Sequence, residues 1–134
     1  MPLPSFRAAC VALTLSLSTM LNPVLAGDVV DTHSYANSAE VRTTHLVIDL
    51  EVDFAKSRLK GLTEIQFQKL KADADRIVLD TRALDVRSAE ASSDGSNWTA
   101  TKFALGTDDT VLGRPLTVML PAGATRVRIG YFTR

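Results

Sequence analysis

Between Thr43 and Phe54 the chain alternates with period two. Leu46, Ile48, Leu50, Val52 and Phe54 fall on one face, and His45, Asp49, Glu51 and Asp53 on the other, with Val47 the one apolar residue among them. Successive side chains of a strand point to opposite sides, so this pattern predicts a strand with one buried and one wet face. "AKSR" (55 to 58) reads as a turn. In "LKGLTEIQFQKLK" that follows, Leu59, Ile65 and Phe67 take one face, and Lys60, Glu64, Gln66 and Gln68 the other. Gly61 and Leu62 disturb that order and predict a bulge or a close backbone approach. "DRIVLDT" (75 to 81) predicts a short strand centred on Ile77 and Leu79, and "LDVRSAEAS" continues the meander. "SSDGSN" is a turn cluster, with Asp94-Gly95 as its hairpin signal. "WTATKFAL" predicts a fifth strand, "GTDDTVLGR" a loop, and "PLTVMLP" and "TRVRIGYFTR" the last two strands. In the final strand Val127, Ile129 and Tyr131 point inward, and Arg126 and Arg128 outward. Seven short strands with no helical period give an all-β, antiparallel sandwich or open barrel over residues 43–134.

Upstream the pattern differs. "MPLPSFR" carries Arg7, residues 8 to 21 are apolar and uncharged, and "NPVLA" follows with Pro23. This is the order of a secretory signal peptide, with cleavage expected after Ala26. A buried core helix is the other reading of that run, but Pro23 and the small-residue site fit processing better. The run is shorter than the roughly 20 residues that a membrane span needs. Export to the periplasm or the medium is therefore expected. Residues 27–42, "GDVVDTHSYANSAEVR", have no period and read as an extended lead-in.

Charge and cysteine content narrow the classes further. Cleavage takes Arg7 away, which leaves 14 of the 15 basic side chains against 15 acidic ones, a net charge of −1. Nothing there favours nucleic acid or an anionic membrane. The one cysteine, Cys10, leaves with the signal, so the mature chain has no thiol, disulfide or cysteine-ligated metal. A domain of about 100 residues without crosslinks is modestly stable unless it packs on something else.

His45, Asp49, Glu51 and Asp53 invite a metal-site reading. Alternate residues of one strand stand about 6.5–7 Å apart and do not converge. A metal takes ligands at about 2–2.5 Å, from more than one segment as a rule. The row reads instead as a solvated face whose partners across the strand are Lys60, Glu64 and Gln66. His33 and His45 are the only histidines, and no H-E-x-x-H is present. Ser92, Ser93 and Ser96 sit in the turn cluster, where local backbone hydrogen bonding is their ordinary role. No serine lies in a G-x-S-x-G elbow, and no glycine loop cradles a phosphate. "NWT" (97 to 99) has the form of a glycosylation sequon, which matters only in a eukaryotic secretory pathway; Trp98 reads as a strand or core residue. No catalytic, cofactor-binding or metal residue is assigned.

A series of short motifs remains: "HSYAN" (33 to 37), "VRTTHLVIDLEVDF" (41 to 54), "RLKG" (58 to 61), "VLDT" (78 to 81), "KFALG" (102 to 106), "GRPLTVMLP" (113 to 121) and "VRIGYFT" (127 to 133). Each is weak alone, but seven in order are fairly specific. Together they resemble the N-terminal β domain of M1-family zinc aminopeptidases, most closely the leukotriene A(4) hydrolase-like branch, from Asp31 to Arg134. Ser38 stands where bacterial members would carry proline. The resemblance implies a saddle-like antiparallel β domain that precedes a thermolysin-like catalytic domain. In the family that second domain holds the zinc, through H-E-x-x-H and a distant glutamate, and a G-x-M-E-N-type loop that binds the substrate's free N-terminus. None of these motifs occurs here. Zinc is thus expected in the parent's catalytic domain and not in this chain, whose partner would be that domain. Peptide substrates would belong to the parent alone. The resemblance also implies an incomplete β domain whose last strand is an uncovered edge. The alternative is a stand-alone secreted β-sandwich binding module without activity. A self-contained enzyme is disfavoured because no catalytic set converges.

Overall fold

The structure, a computed structural model, describes residues 31–133. The signal-peptide reading of residues 1–26 lies outside the described residues. Eight strands follow one another: β1 (Val41–Asp53), β2 (Arg58–Lys69), β3 (Arg76–Thr81), β4 (Leu84–Ser92), β5 (Thr99–Ala100), β6 (Phe103–Leu105), β7 (Arg114–Met119) and β8 (Arg126–Thr133). They form two antiparallel sheets, one ordered β1-β2-β8-β4-β5 and one ordered β3-β7-β6. The expected all-β antiparallel architecture is the one observed.

The core lies between the sheets. Ile65 and Phe67 of β2, Ala89 and Ala91 of β4, and Val127 and Ile129 of β8 meet Ile77 of β3 and Leu116 and Val118 of β7. Leu116, Val118 and Val127 are its most enclosed large side chains. Registers explain the alignment: Ile65 faces Val127, which faces Ala91 on the other side. Val127 and Ile129 point inward as their alternation predicts, and Arg126 and Arg128 lie on the opposite face.

Four expectations are corrected. The apolar face of β1 is not a core face: Ile48 is 54% exposed, and Leu46, Leu50 and Val52 are exposed too, with Val41 the buried residue of the strand. The alternation reports which side the residues share. Burial also needs a second layer above them, and the three-stranded sheet leaves that flank of β1 uncovered. The predicted fifth strand is two strands, which raises the count to eight. β5 pairs with β4 in the large sheet, and β6 pairs with β7 in the small one. The chain changes sheets at Thr101 and Lys102: Thr101 donates its N–H to Ala89, while Lys102 accepts from Met119. Trp98 precedes β5, half-exposed, instead of filling the core. Finally, the last strand is no edge. β8 sits between β2 and β4, and β1 is the long outer strand.

Gly61 continues the β1–β2 register without a bulge, opposite Leu50. Of the two readings of this glycine, close approach is the one realised. A Cβ there would lie 2.3 Å from the Tyr131 ring, whose hydroxyl pairs with the Thr63 hydroxyl at 3.2 Å. The irregularity falls between Thr43 and His45 instead.

Candidate functional site

The row that suggested chemistry lies along the outer face of β1. Glu51 accepts from Lys60 Nζ at 3.2 Å, and Asp53 pairs with Lys56 Nζ at 3.3 Å and accepts the Lys56 N–H at 3.1 Å. His45 stands opposite Gln66, and Asp49 opposite Leu62. These are the cross-strand and turn partners expected of a wet face. Among the described residues no three histidine, cysteine or acidic side chains gather where they could hold a metal ion.

The outer face of the large sheet carries a denser network further in. Arg126 donates to Glu64 at 2.8 Å, and Arg128 donates to Glu90 at 2.6 Å while lying 4.5 Å over the Trp98 ring. The Arg128 hydrogen bond holds the Glu90 carboxyl below the usual carboxylate range, and Glu90 in turn raises the guanidinium of Arg128. Arg58 and Arg87 flank the Phe132 ring at 5.6 and 5.9 Å, and Arg87 also pairs with Asp85. Glu64, Glu90 and Asp85 each have an arginine partner in this network. That suits a rigid surface, and the lowered Glu90 carboxyl is not poised to exchange protons near neutrality.

A shallow groove of ≈ 370 Å³ crosses this face, lined by Asp49, Lys60, Leu62, Arg87, Ser88 and Gly130 among others. Its floor is open because Gly130 has no side chain: a Cβ there would lie 2.6 Å from the Ser88 hydroxyl. No histidine lines the groove to activate Ser88.

Two turns are held by carboxylates. Asp94 accepts from the Asn97 N–H and side-chain amide, the Ser96 N–H and the Ser92 hydroxyl at 2.7–3.0 Å, which lowers its carboxyl far below the ordinary range. Ser92 Oγ accepts from the Gly95 N–H at 2.9 Å, the local role expected of a turn serine. Asp109 accepts from the Leu112 and Val111 N–H groups and is lowered likewise.

The lead-in holds what the pattern of the chain did not disclose. Asn37 Oδ1 accepts from the Val78 N–H at 2.9 Å, and Asn37 Nδ2 donates to the Arg76 carbonyl at 3.1 Å. One side chain thereby serves the free edge of β3 as a neighbouring strand would. Asp80 accepts from the Ser34 hydroxyl at 2.6 Å and from the Tyr35 N–H at 2.8 Å. Burial, with the nearby carboxylates Asp109, Asp80 and Asp108, raises the Tyr35 hydroxyl above its ordinary value. "HSYAN" is thus a clasp on the small sheet.

No family model matches the chain. Individual proteins do. The chain is 31% identical over 98 residues to a leukotriene A-4 hydrolase homolog of Botryotinia fuckeliana, covering 72% of this chain and 14% of that protein. It is 31% identical over 97 residues to leucine aminopeptidase 2 of Sclerotinia sclerotiorum, covering 72% and 15%. Yeast LTA4 hydrolase in complex with bestatin superposes with a TM-score of 0.69 at 25% identity, over 84% of this chain and 17% of that one. The chain spans about 14–15% of the length of the curated relatives that it matches.

Proposed function

Because this chain belongs, over the N-terminal β region, to the M1 zinc aminopeptidase family in its leukotriene A-4 hydrolase-like branch, we propose that it is the non-catalytic frame of an exported zinc metallo-aminopeptidase. The observation that carries this reading is the match of 72% of the chain to a narrow share of enzymes called hydrolases and aminopeptidases. In the parent, a zinc-polarised water and a glutamate base would cleave N-terminal residues from peptides. Those groups lie outside this chain. Its own residues contribute stiffness: the Arg126–Glu64 and Arg128–Glu90 pairs brace the large sheet, and Asn37 and Asp80 clasp the small one. Both would hold one wall of the catalytic cleft. Export rests on the order of charged, apolar and small residues before Gly27.

The exposed flank of β1 favours a second reading, a stand-alone secreted binding module. The coding sequence downstream of Arg134 separates the two. An H-E-x-x-H, in frame or after a frameshift, supports the frame of a peptidase. A stop followed by an unrelated gene supports the binding module.

A further inference from the structure

We propose that Asp94–Gly95 is a latent isoaspartate site, closed while the turn between β4 and β5 is folded and opened when that turn unfolds. It is the only place in the chain where glycine follows an aspartate or an asparagine. A glycine nitrogen, with no Cβ beside it, is the least hindered nucleophile that a backbone offers to the carboxyl before it. The step is an intramolecular condensation. The Gly95 nitrogen attacks Asp94 Cγ, a C–N bond forms, and one carboxyl oxygen leaves as water with the amide proton and the carboxyl proton. Water then opens the cyclic imide at either carbonyl. Opening at Cγ returns aspartate. Opening at the former peptide carbonyl leaves isoaspartate, of unchanged mass, with the chain running through the Asp94 side chain.

The folded turn withholds what this reaction needs. The Gly95 N–H donates to Ser92 Oγ at 2.9 Å. Asp94 Oδ1 accepts from the Ser92 hydroxyl and from the Ser96 and Asn97 N–H groups, and Oδ2 accepts from Asn97 Nδ2 at 2.7 Å. Ring closure takes the Gly95 proton from Ser92 and one Asp94 oxygen from its donors, so it must break contacts on both sides of the new bond. The same donors keep the carboxyl ionised, and a carboxylate is a poor target for a nucleophile. A side chain at residue 95 would hinder the reaction, but the turn disfavours one. Gly95 has a φ of +78°, and a Cβ there would lie 2.8 Å from Arg126 Nη1, which Glu64 holds. The fold therefore calls for the reactive dipeptide and shields it in the same turn.

Peptide mapping by electron-transfer mass spectrometry, which tells isoaspartate from aspartate, would follow the full chain at neutral pH, folded and in urea. The unfolded chain should form isoaspartate at residue 94 about tenfold faster or more, because only the open turn reacts. Ser92→Ala removes the Gly95 acceptor and one Asp94 donor, and should raise the folded-state rate about three- to tenfold. Asn97→Ala, at an exposed position, removes the Oδ2 donor and should raise it as well. Ile77→Val weakens the core in β3 of the other sheet, and should leave the rate unchanged while the chain stays folded by circular dichroism. Equal rates in the folded and unfolded parent chain overturn the proposal. So does a rate that neither turn variant raises, or one that Ile77→Val raises as much as they do. None of these outcomes bears on the peptidase reading.

Discussion

Tyr131 occupies space that Gly61 leaves empty. Gly61→Ala would push the ring off the backbone and break its contact with Thr63, so overpacking should cost about 1–3 kcal/mol in denaturant unfolding. The cost should shrink when Tyr131→Phe removes the hydroxyl that the ring must keep in place. The carboxylates make a prediction in pH. Asp94, Asp109 and Glu90 all have their folded-state values lowered by hydrogen bonds or by Arg128. A lowered folded value means stability that is fully present above the unfolded carboxyl value, about 4, and is lost as pH falls through the folded value. The thermal midpoint should therefore hold near neutrality and drop below about pH 4. Asp94→Asn should lower the midpoint at pH 7 and flatten the acid limb. The residue scale also shows what the chain could and could not disclose. Gly61 broke a period and announced itself. Asn37 broke none, and its partners at Arg76 and Val78 are about forty positions away, so only the folded edge of β3 gives it a role.

At the scale of the element, alternation identified β1 and sorted its residues onto two sides, yet the side it marked as apolar is exposed. Period two depends on backbone geometry alone, whereas burial depends on which other sheet lies above and how far that sheet extends. The run from Trp98 to Leu105 misled for a related reason: two short strands in line read as one when nothing local marks a change of sheet. The difference is measurable. Leu116→Ala, at 1% exposure, should cost about 2–5 kcal/mol, while Leu50→Ala, at 47%, should cost under about 1 kcal/mol in dilute solution. Similar costs would mean that β1 is covered after all. The clasp is testable by Asn37→Ala, which strips the Val78 N–H of its acceptor. A loss of about 1–3 kcal/mol is expected, with faster amide exchange at Val78.

For the whole molecule, the all-β class was legible in periodicity, and the family was legible in seven short motifs. The order of the strands was not. β8 pairs with β2 and β4 over separations of more than thirty residues, and no local signal places the last strand at the centre of the large sheet. The acidic row on β1 was legible as a wet face because strand geometry forbids convergence, and its Glu51 and Asp53 pair with lysines in the fold. The described residues thus form a pair of sheets braced by the Arg126–Glu64 and Arg128–Glu90 pairs, with an open apolar flank along β1. The most direct test is zinc analysis of the purified chain together with turnover of an aminoacyl chromogenic substrate. The account predicts substoichiometric zinc and no turnover; one zinc per chain with hydrolysis would contradict it.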